Sequence, residues 1–316
     1  MKTKIKEAAA PSLCKRGGLR SYDWQMYALL VIPLLAVFVF SYIPMFGVII
    51  AFKDYKFNLG ILGSKWVGFD NFKFFFESDV FGRTVRNTLY MNALFIVIGK
   101  IAAIITAILL FEISSRTAVK IYQTIMITPT FISWVIVAYI VFAFLNSQYG
   151  LANRIIEKLG GSAVEWYSEP DKWPAILVIA NVWKYVGMDS VIYYASMMGI
   201  DAGLFEAAEI DGATRPKIIW HIILPLLIPV ITILVIMSIG GIFSGDFGLF
   251  YQVTRDVGTL YPRTDIINTF VFRAMRSLGD YGMSTAVGLL QSVVGLIMVV
   301  ITNRICKMIN PDVALF

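Results

Sequence analysis

Charged residues fall along this chain in clusters separated by long charge-free blocks. No residue is charged between Asp23 and Lys53, between Lys120 and Arg154, or between Asp280 and Arg304, and only His221 interrupts the run from Lys217 to Asp246. A helix crossing about 30 Å of hydrocarbon needs about 20 apolar residues with every backbone group bonded internally. Two further stretches, 87–112 and 173–197, are long enough to span but carry Lys100 in the first and Lys184 and Asp189 in the second. The pattern predicts six transmembrane helices, roughly 25–51, 87–112, 121–145, 173–197, 219–245 and 281–303. The expected fold class is an all-α integral membrane protein.

Composition agrees. Of 316 residues, 58% are hydrophobic and 15% charged, against about a quarter charged in a soluble domain. Orientation follows from where Lys and Arg lie beside the spans. An inside N-terminus gives twelve positive charges to the inner segments and thirteen to the longer outer loops. Six of the twelve precede the first helix, which favours cytoplasmic N- and C-termini. The first apolar run is too long and starts too late for a cleaved signal, so it reads as an anchor. The chain divides into a basic tail at 1–24, a membrane domain at 25–303 and a C-terminal tail at 304–316.

A net charge of +6 suits a basic fringe against anionic lipid, and no basic run belongs to a soluble domain that would hold nucleic acid. Cys14 and Cys306 both fall on the cytoplasmic side, where a disulfide is not expected. One histidine and two separated cysteines offer no metal-ligand cluster, and no nucleophile elbow is present, so no catalytic or metal residue is assigned. His221 reads as structural or interfacial. In the first outer loop, WVGFDNFKFFF at 66–76 repeats aromatic residues every three or four positions, as an interfacial helix would.

The substantial inner loop, 201–217, interrupts the apolar pattern with EAAEIDGA at 206–213. Asp201 is placed to cap a helix over AGLFEAAEI, and Gly212 to end it in the left-handed conformation. Thr214 would cap a second helix with Pro216 in its first turn. Two readings stay open from the residues: a solvated loop, or a rigid rod whose Glu206, Glu209 and Asp211 pair with a partner's Arg or Lys.

Within the membrane, Asn181, Tyr185, Asp189 and Tyr193 recur every four residues and share a face of the fourth helix. They are candidates for a substrate path. The alternative is a structural pair of Asp189 with Lys184 or Lys100, since a lone charge in lipid is costly. The glycines in IGGIFSGDFG, 239–248, permit either close helix packing or a break, with packing favoured.

EAAEIDGA, followed after eight residues by IILP at 222–225, resembles the signature of permease subunits of binding-protein-dependent ABC importers with the type I fold. The resemblance extends from Tyr22 to Lys307. It implies a cytoplasmic coupling helix, with Glu206, Ala207, Ala208, Asp211, Gly212 and Ala213 contacting an ATPase, and Leu224 and Pro225 at the turn into the fifth helix. Trp220 and His221 depart from the family pattern. IPMFGVIIAFKDY at 43–55, SKWVGFDNF at 64–72, TDIINTFVFRAM at 264–275 and STAVGLLQSVVGLIMVVITNR at 284–304 resemble the branch that imports oligosaccharides such as alginate or pectin fragments.

The implied partners are a second, related permease, two cytoplasmic ATPases and an extracytoplasmic binding protein, at a bacterial plasma membrane. ATP and magnesium would bind in those ATPases and no cofactor in this chain. The sequence agrees: its only Gly-Lys pair, Gly99-Lys100, is followed by Ile101 and has Leu94 where a P-loop needs its first glycine. The rival reading is an ion-gradient transporter working through Lys100, Lys184 and Asp189. A scaffold without transport is a third.

Overall fold

A computed structural model describes residues 21–78 and 80–309. The basic tail up to residue 20, Cys14 within it, and residues 310–316 lie outside the described residues; the Cys306 thiol is free. Residues up to Ile49 and from Ile50 onward form two compact units.

Among the described residues, five helices are long and apolar enough to cross a membrane, or six when a bent pair is counted as one span. In chain order the elements are α1 (Met26–Phe52), strands β1 (Lys53–Asp54) and β2 (Lys65–Trp66), α2 (Asp70–Glu77) and α3 (Phe81–Phe111). The bent pair follows as α4 (Arg116–Ile127) and α5 (Trp134–Leu145), then α6 (Leu151–Lys158) and α7 (Trp173–Met197). Last come α8 (Ala202–Ile210), α9 (Arg215–Gly240), α10 (Ile267–Arg273) and α11 (Tyr281–Ile309). Exposed Ile105, Leu109, Met237 and Leu296 on α3, α9 and α11 form apolar surface that water would not tolerate but lipid or a membrane partner would.

Three expectations need correction. The predicted third helix is broken: α4 and α5 meet at 98°. Thr128–Phe131 tightens into a 3-10 turn, Ile132 and Ser133 are extended, and the Ser133 side chain accepts from the Ile136 amide at the start of α5. The predicted fifth helix stops at Gly240, not 245. Its glycines serve both proposed ends, because the helix terminates where it packs on α11. A Cβ added at Gly295 would lie 2.6 Å from the Gly240 carbonyl oxygen, so only glycine permits this approach. The interfacial aromatic helix begins at Asp70, while Trp66 lies in a two-residue antiparallel ladder. Trp66, Phe69 and Phe72 pack around Phe52, with Trp66 stacked at 5.6 Å; ring-on-ring packing outweighed a continuous stripe.

The core is organised along α7, which packs against α3. At its N-terminal end Trp173 and Leu177 are buried with Leu249, Phe250, Leu260 and Ile266. At its C-terminal end Tyr193 and Met197 are buried with Ala103, Ala107, Ile218, Ile223 and Leu227. Its 25 residues separate these ends by about 37 Å at 1.5 Å per residue.

Candidate functional site

The loop after α7 is built as its residues predict, with one exception. Asp201 caps α8 by accepting from the Gly203 amide at 3.0 Å. Gly212 closes it at φ +73°, and the Ala213 amide reaches back to the Ala208 carbonyl at 2.9 Å, the 6→1 closure of a Schellman-type end. Thr214 stands at the next cap position without a side-chain capping bond.

The rod has two faces. Phe205 packs on Phe111 of α3 with ring centroids 5.7 Å apart, and half-buried Ala208 and Ala213 join the core cluster that holds Met197. Glu206, Ala207, Asp211 and Gly212 are exposed, as is Ile210 at 87%. Glu209, one of the three acids read as partner-facing, is engaged at home: Arg215 holds it at 3.3 Å and reaches Glu112 at the end of α3 at 3.9 Å.

Leu224 and Pro225 are not at a turn. The chain turns at 211–214, and both lie within continuous α9, just past a π-helical turn at Ile219–Ile223. A proline cannot donate to the carbonyl four residues back and its ring crowds it; the wide turn before Pro225 accommodates this. His221 sits in that turn with Nδ1 3.0 Å from the Lys217 carbonyl oxygen.

The polar face of α7 is only partly one site. Asn181, Tyr185 and Asp189 line a cavity of about 210 Å³ with Asn92, Lys100 and Ser238. Tyr193 does not reach it, being fully buried in the other core cluster with a hydroxyl that has no partner among the described residues. Helical arithmetic explains the difference: four residues overshoot a 3.6-residue turn by about 40°, so three steps drift about 120°.

Asp189 pairs with Lys100 at 3.2 Å, one of its two proposed partners. The Asn181 amide makes no side-chain hydrogen bond among the described residues and faces the cavity. Tyr185 donates to Asp246 at 3.1 Å, as does the Trp134 indole at 2.7 Å. Asp246 and Trp134 were not singled out by sequence; Asp246 had served only to mark the end of an apolar run.

Lys184 has a different role from the ion pair considered for it. Its ammonium is buried at the α4–α5 break, donating to the carbonyls of Pro129 at 3.2 Å, Thr130 at 3.0 Å and Ile132, above the Trp134 ring. Carbonyls left open by a broken helix in hydrocarbon need such a donor.

The other end of α7 carries a buried ionic network. Asp265, 1% exposed, binds Arg83 at 3.0 Å and also Arg273. Arg273 extends to Asp256 at 2.8 Å and lies over the Tyr261 ring at 4.2 Å. Nearby, burial pushes the Tyr167 hydroxyl up to about 12, with the Arg255 charge pulling the other way.

The family described as binding-protein-dependent transport system inner membrane component matches residues 96–314. The chain is a member of it. As such it is a transport subunit of an ABC importer and not an enzyme: the ATPase is a separate subunit and a binding protein is part of the system. Protein LplB of Bacillus subtilis is 36% identical over 99% of both chains. The polygalacturonan/rhamnogalacturonan transport system permease YteP of the same organism is 35% identical over 91% of this chain and 89% of its own. Among solved structures, a bacterial ABC transporter that imports the acidic polysaccharide alginate superposes with TM-score 0.82 at 33% identity, covering 92% of this chain and 97% of that one. A second, at TM-score 0.81 and 33% identity, is the alginate transporter with its alginate pentasaccharide-bound periplasmic protein; 91% of this chain and 96% of that one are covered. The fold is the type I permease fold, and the importer reading prevails over a gradient-driven one.

Proposed function

We propose that this permease carries a carbohydrate, an oligosaccharide, across a bacterial plasma membrane, with both of its termini cytoplasmic. A second, related permease completes the path, and two cytoplasmic ATPases holding ATP and magnesium dock on the α8 rods. The observation that carries this reading is the two-faced construction of α8. Its inner face is fixed by Phe205 and Ala208 to the core around the C-terminal end of α7, while Glu206, Ala207, Ile210 and Asp211 are presented outward. Force applied to α8 is thereby delivered to α7, whose Asn181, Tyr185 and Asp189 line the polar cavity. Closure of the ATPase dimer on ATP draws the rods together and opens the path outward; hydrolysis reverses it. Each state must differ in its contacts, since a partner with equal affinity for both shifts nothing.

The cargo class is supported by relatives named for polygalacturonan and alginate transport and by a cavity that offers amides, a phenol and an ion pair to sugar hydroxyls. Tyr193, the fourth residue of the face, holds position within the core and is outside the path. The test is uptake of labelled oligosaccharide into proteoliposomes containing the complete importer and its binding protein. Uptake is expected only with ATP supplied to the ATPase side, and is lost in Glu206→Lys. Uptake driven by a proton or sodium gradient without nucleotide would refute the proposal.

A further inference from the structure

At the end of α7 away from α8, two hollows of about 180 and 430 Å³ share two walls, Phe142 of α5 and Arg255. The Arg255 guanidinium lies 4.2 Å from the centroid of the Phe142 ring, so the two hollows adjoin at a stacked cation, and the pair is called the groove. Of the four arginines between 255 and 276, the other three are engaged: Arg263 with Asp171 at 2.7 Å, Arg273 with Asp256 and Asp265, and Arg276 with the Tyr251 hydroxyl at 3.3 Å. Arg255 is exposed, and its side chain has neither carboxylate nor hydrogen-bond partner among the described residues.

Its backbone is held in place at a cost. Arg255 and Asp256 have φ of +58° and +50°, the left-handed region that side-chain-bearing residues avoid. Asp256 is fixed there by Arg273 at 2.8 Å and by the Tyr261 hydroxyl at 3.1 Å, which belong to the buried Asp265 network. That network therefore sets a strained turn whose product is an outward, unpaired guanidinium.

The walls on either side suit sugar. Tyr139, 67% exposed, and Gln252 line the smaller hollow beside Asp256, whose charge is met by Arg273. Gln148 and Trp166 line the larger beside Glu165, whose carboxylate can accept from sugar hydroxyls. Aromatic faces stack on pyranose C–H surfaces, amides bond hydroxyls, and a planar guanidinium matches a carboxylate with two parallel bonds.

We infer that this groove is a subsite for an acidic oligosaccharide, in which Arg255 pairs with the carboxylate of a uronate unit while neighbouring units occupy the hollows on either side. This rests on the carbohydrate reading above and adds a charge requirement to it. The test measures uptake, by cells carrying the complete importer, of labelled oligosaccharides from partial hydrolysates of pectate and alginate, beside the same oligosaccharides after reduction of their carboxyl groups.

Wild type is expected to prefer the acids. Arg255→Gln should lower their uptake at limiting concentration by about tenfold or more while leaving the reduced sugars within about twofold, and Arg255→Lys should recover part of the loss. A variant that affects acidic and reduced sugars alike, or neither, overturns the assignment. Wild-type uptake of reduced but not acidic sugars overturns it too, while sparing the carbohydrate reading; uptake of neither class overturns both.

Discussion

The two ends of α7 are built on opposite principles. At the α8 end a short rod is capped, turned and docked through small apolar contacts, and its charges face outward or pair weakly at the surface. At the far end one carboxylate is buried: Asp265 is held by the half-buried Arg83 and Arg273, and Arg273 extends to the half-buried Asp256. A surface pair such as Arg215–Glu209 contributes about 0–1 kcal/mol, whereas removing one member of a buried pair costs about 3–5 kcal/mol. On the function proposed above, the difference separates a surface that exchanges contacts with a moving partner from a platform that stays still while holding a strained turn.

This contrast predicts that damage to folding decreases from the buried end to the exposed one while damage to coupling increases. Asp265→Leu removes the buried carboxylate shared by Arg83 and Arg273, leaving Arg83 without its acid and Arg273 with Asp256 alone, and its loss of about 3–5 kcal/mol should appear as a large drop in the unfolding temperature of the detergent-purified protein. Lys184→Met, which strips three carbonyls at the α4–α5 break of their donor, should cost about 1–3 kcal/mol in the same assay. A Cβ added at Gly212 meets no atom within 4 Å, so the main resistance to Gly212→Asp is the left-handed backbone, about 1–2 kcal/mol; membrane level is preserved and uptake is lost. Glu206→Lys should shift stability by no more than about 0.5 kcal/mol yet weaken ATPase association. A Glu206 variant that unfolds, or an Asp265 variant that stays fully stable, would erase the contrast.

How far each end was legible follows from the same physics. Four spans were readable because every charge in hydrocarbon is penalised individually, so charge-free blocks mark them directly, and the two that carry Lys100, Lys184 and Asp189 were readable from their length. The α8 loop was readable because capping is local: Asp201 and Gly212 act within a few residues of themselves. The 98° break was hidden by uniform apolarity, although Pro129 and Ser133 in ITPTFISW signal a stop and a new N-cap. Lys184 drew attention as a charge, but its partners are backbone carbonyls 52 to 55 positions away, which side-chain pairing rules do not reach. The Asp265 network joins residues up to 182 positions apart, and only the branch-like stretch TDIINTFVFRAM hinted at it. Tyr193 was misplaced because a four-residue repeat drifts around a 3.6-residue helix.

The central claim is that α8 is where a separate ATPase takes hold of this permease. The most direct measurement is quantitative mass spectrometry of what co-purifies with the tagged protein from its native membrane in mild detergent, for wild type and Gly212→Asp. The account predicts a second six-span permease and a P-loop ATPase in stoichiometric amounts with wild type, and loss of the ATPase with the variant. Recovery of this chain alone, still moving sugar in ATP-free vesicles, would contradict it.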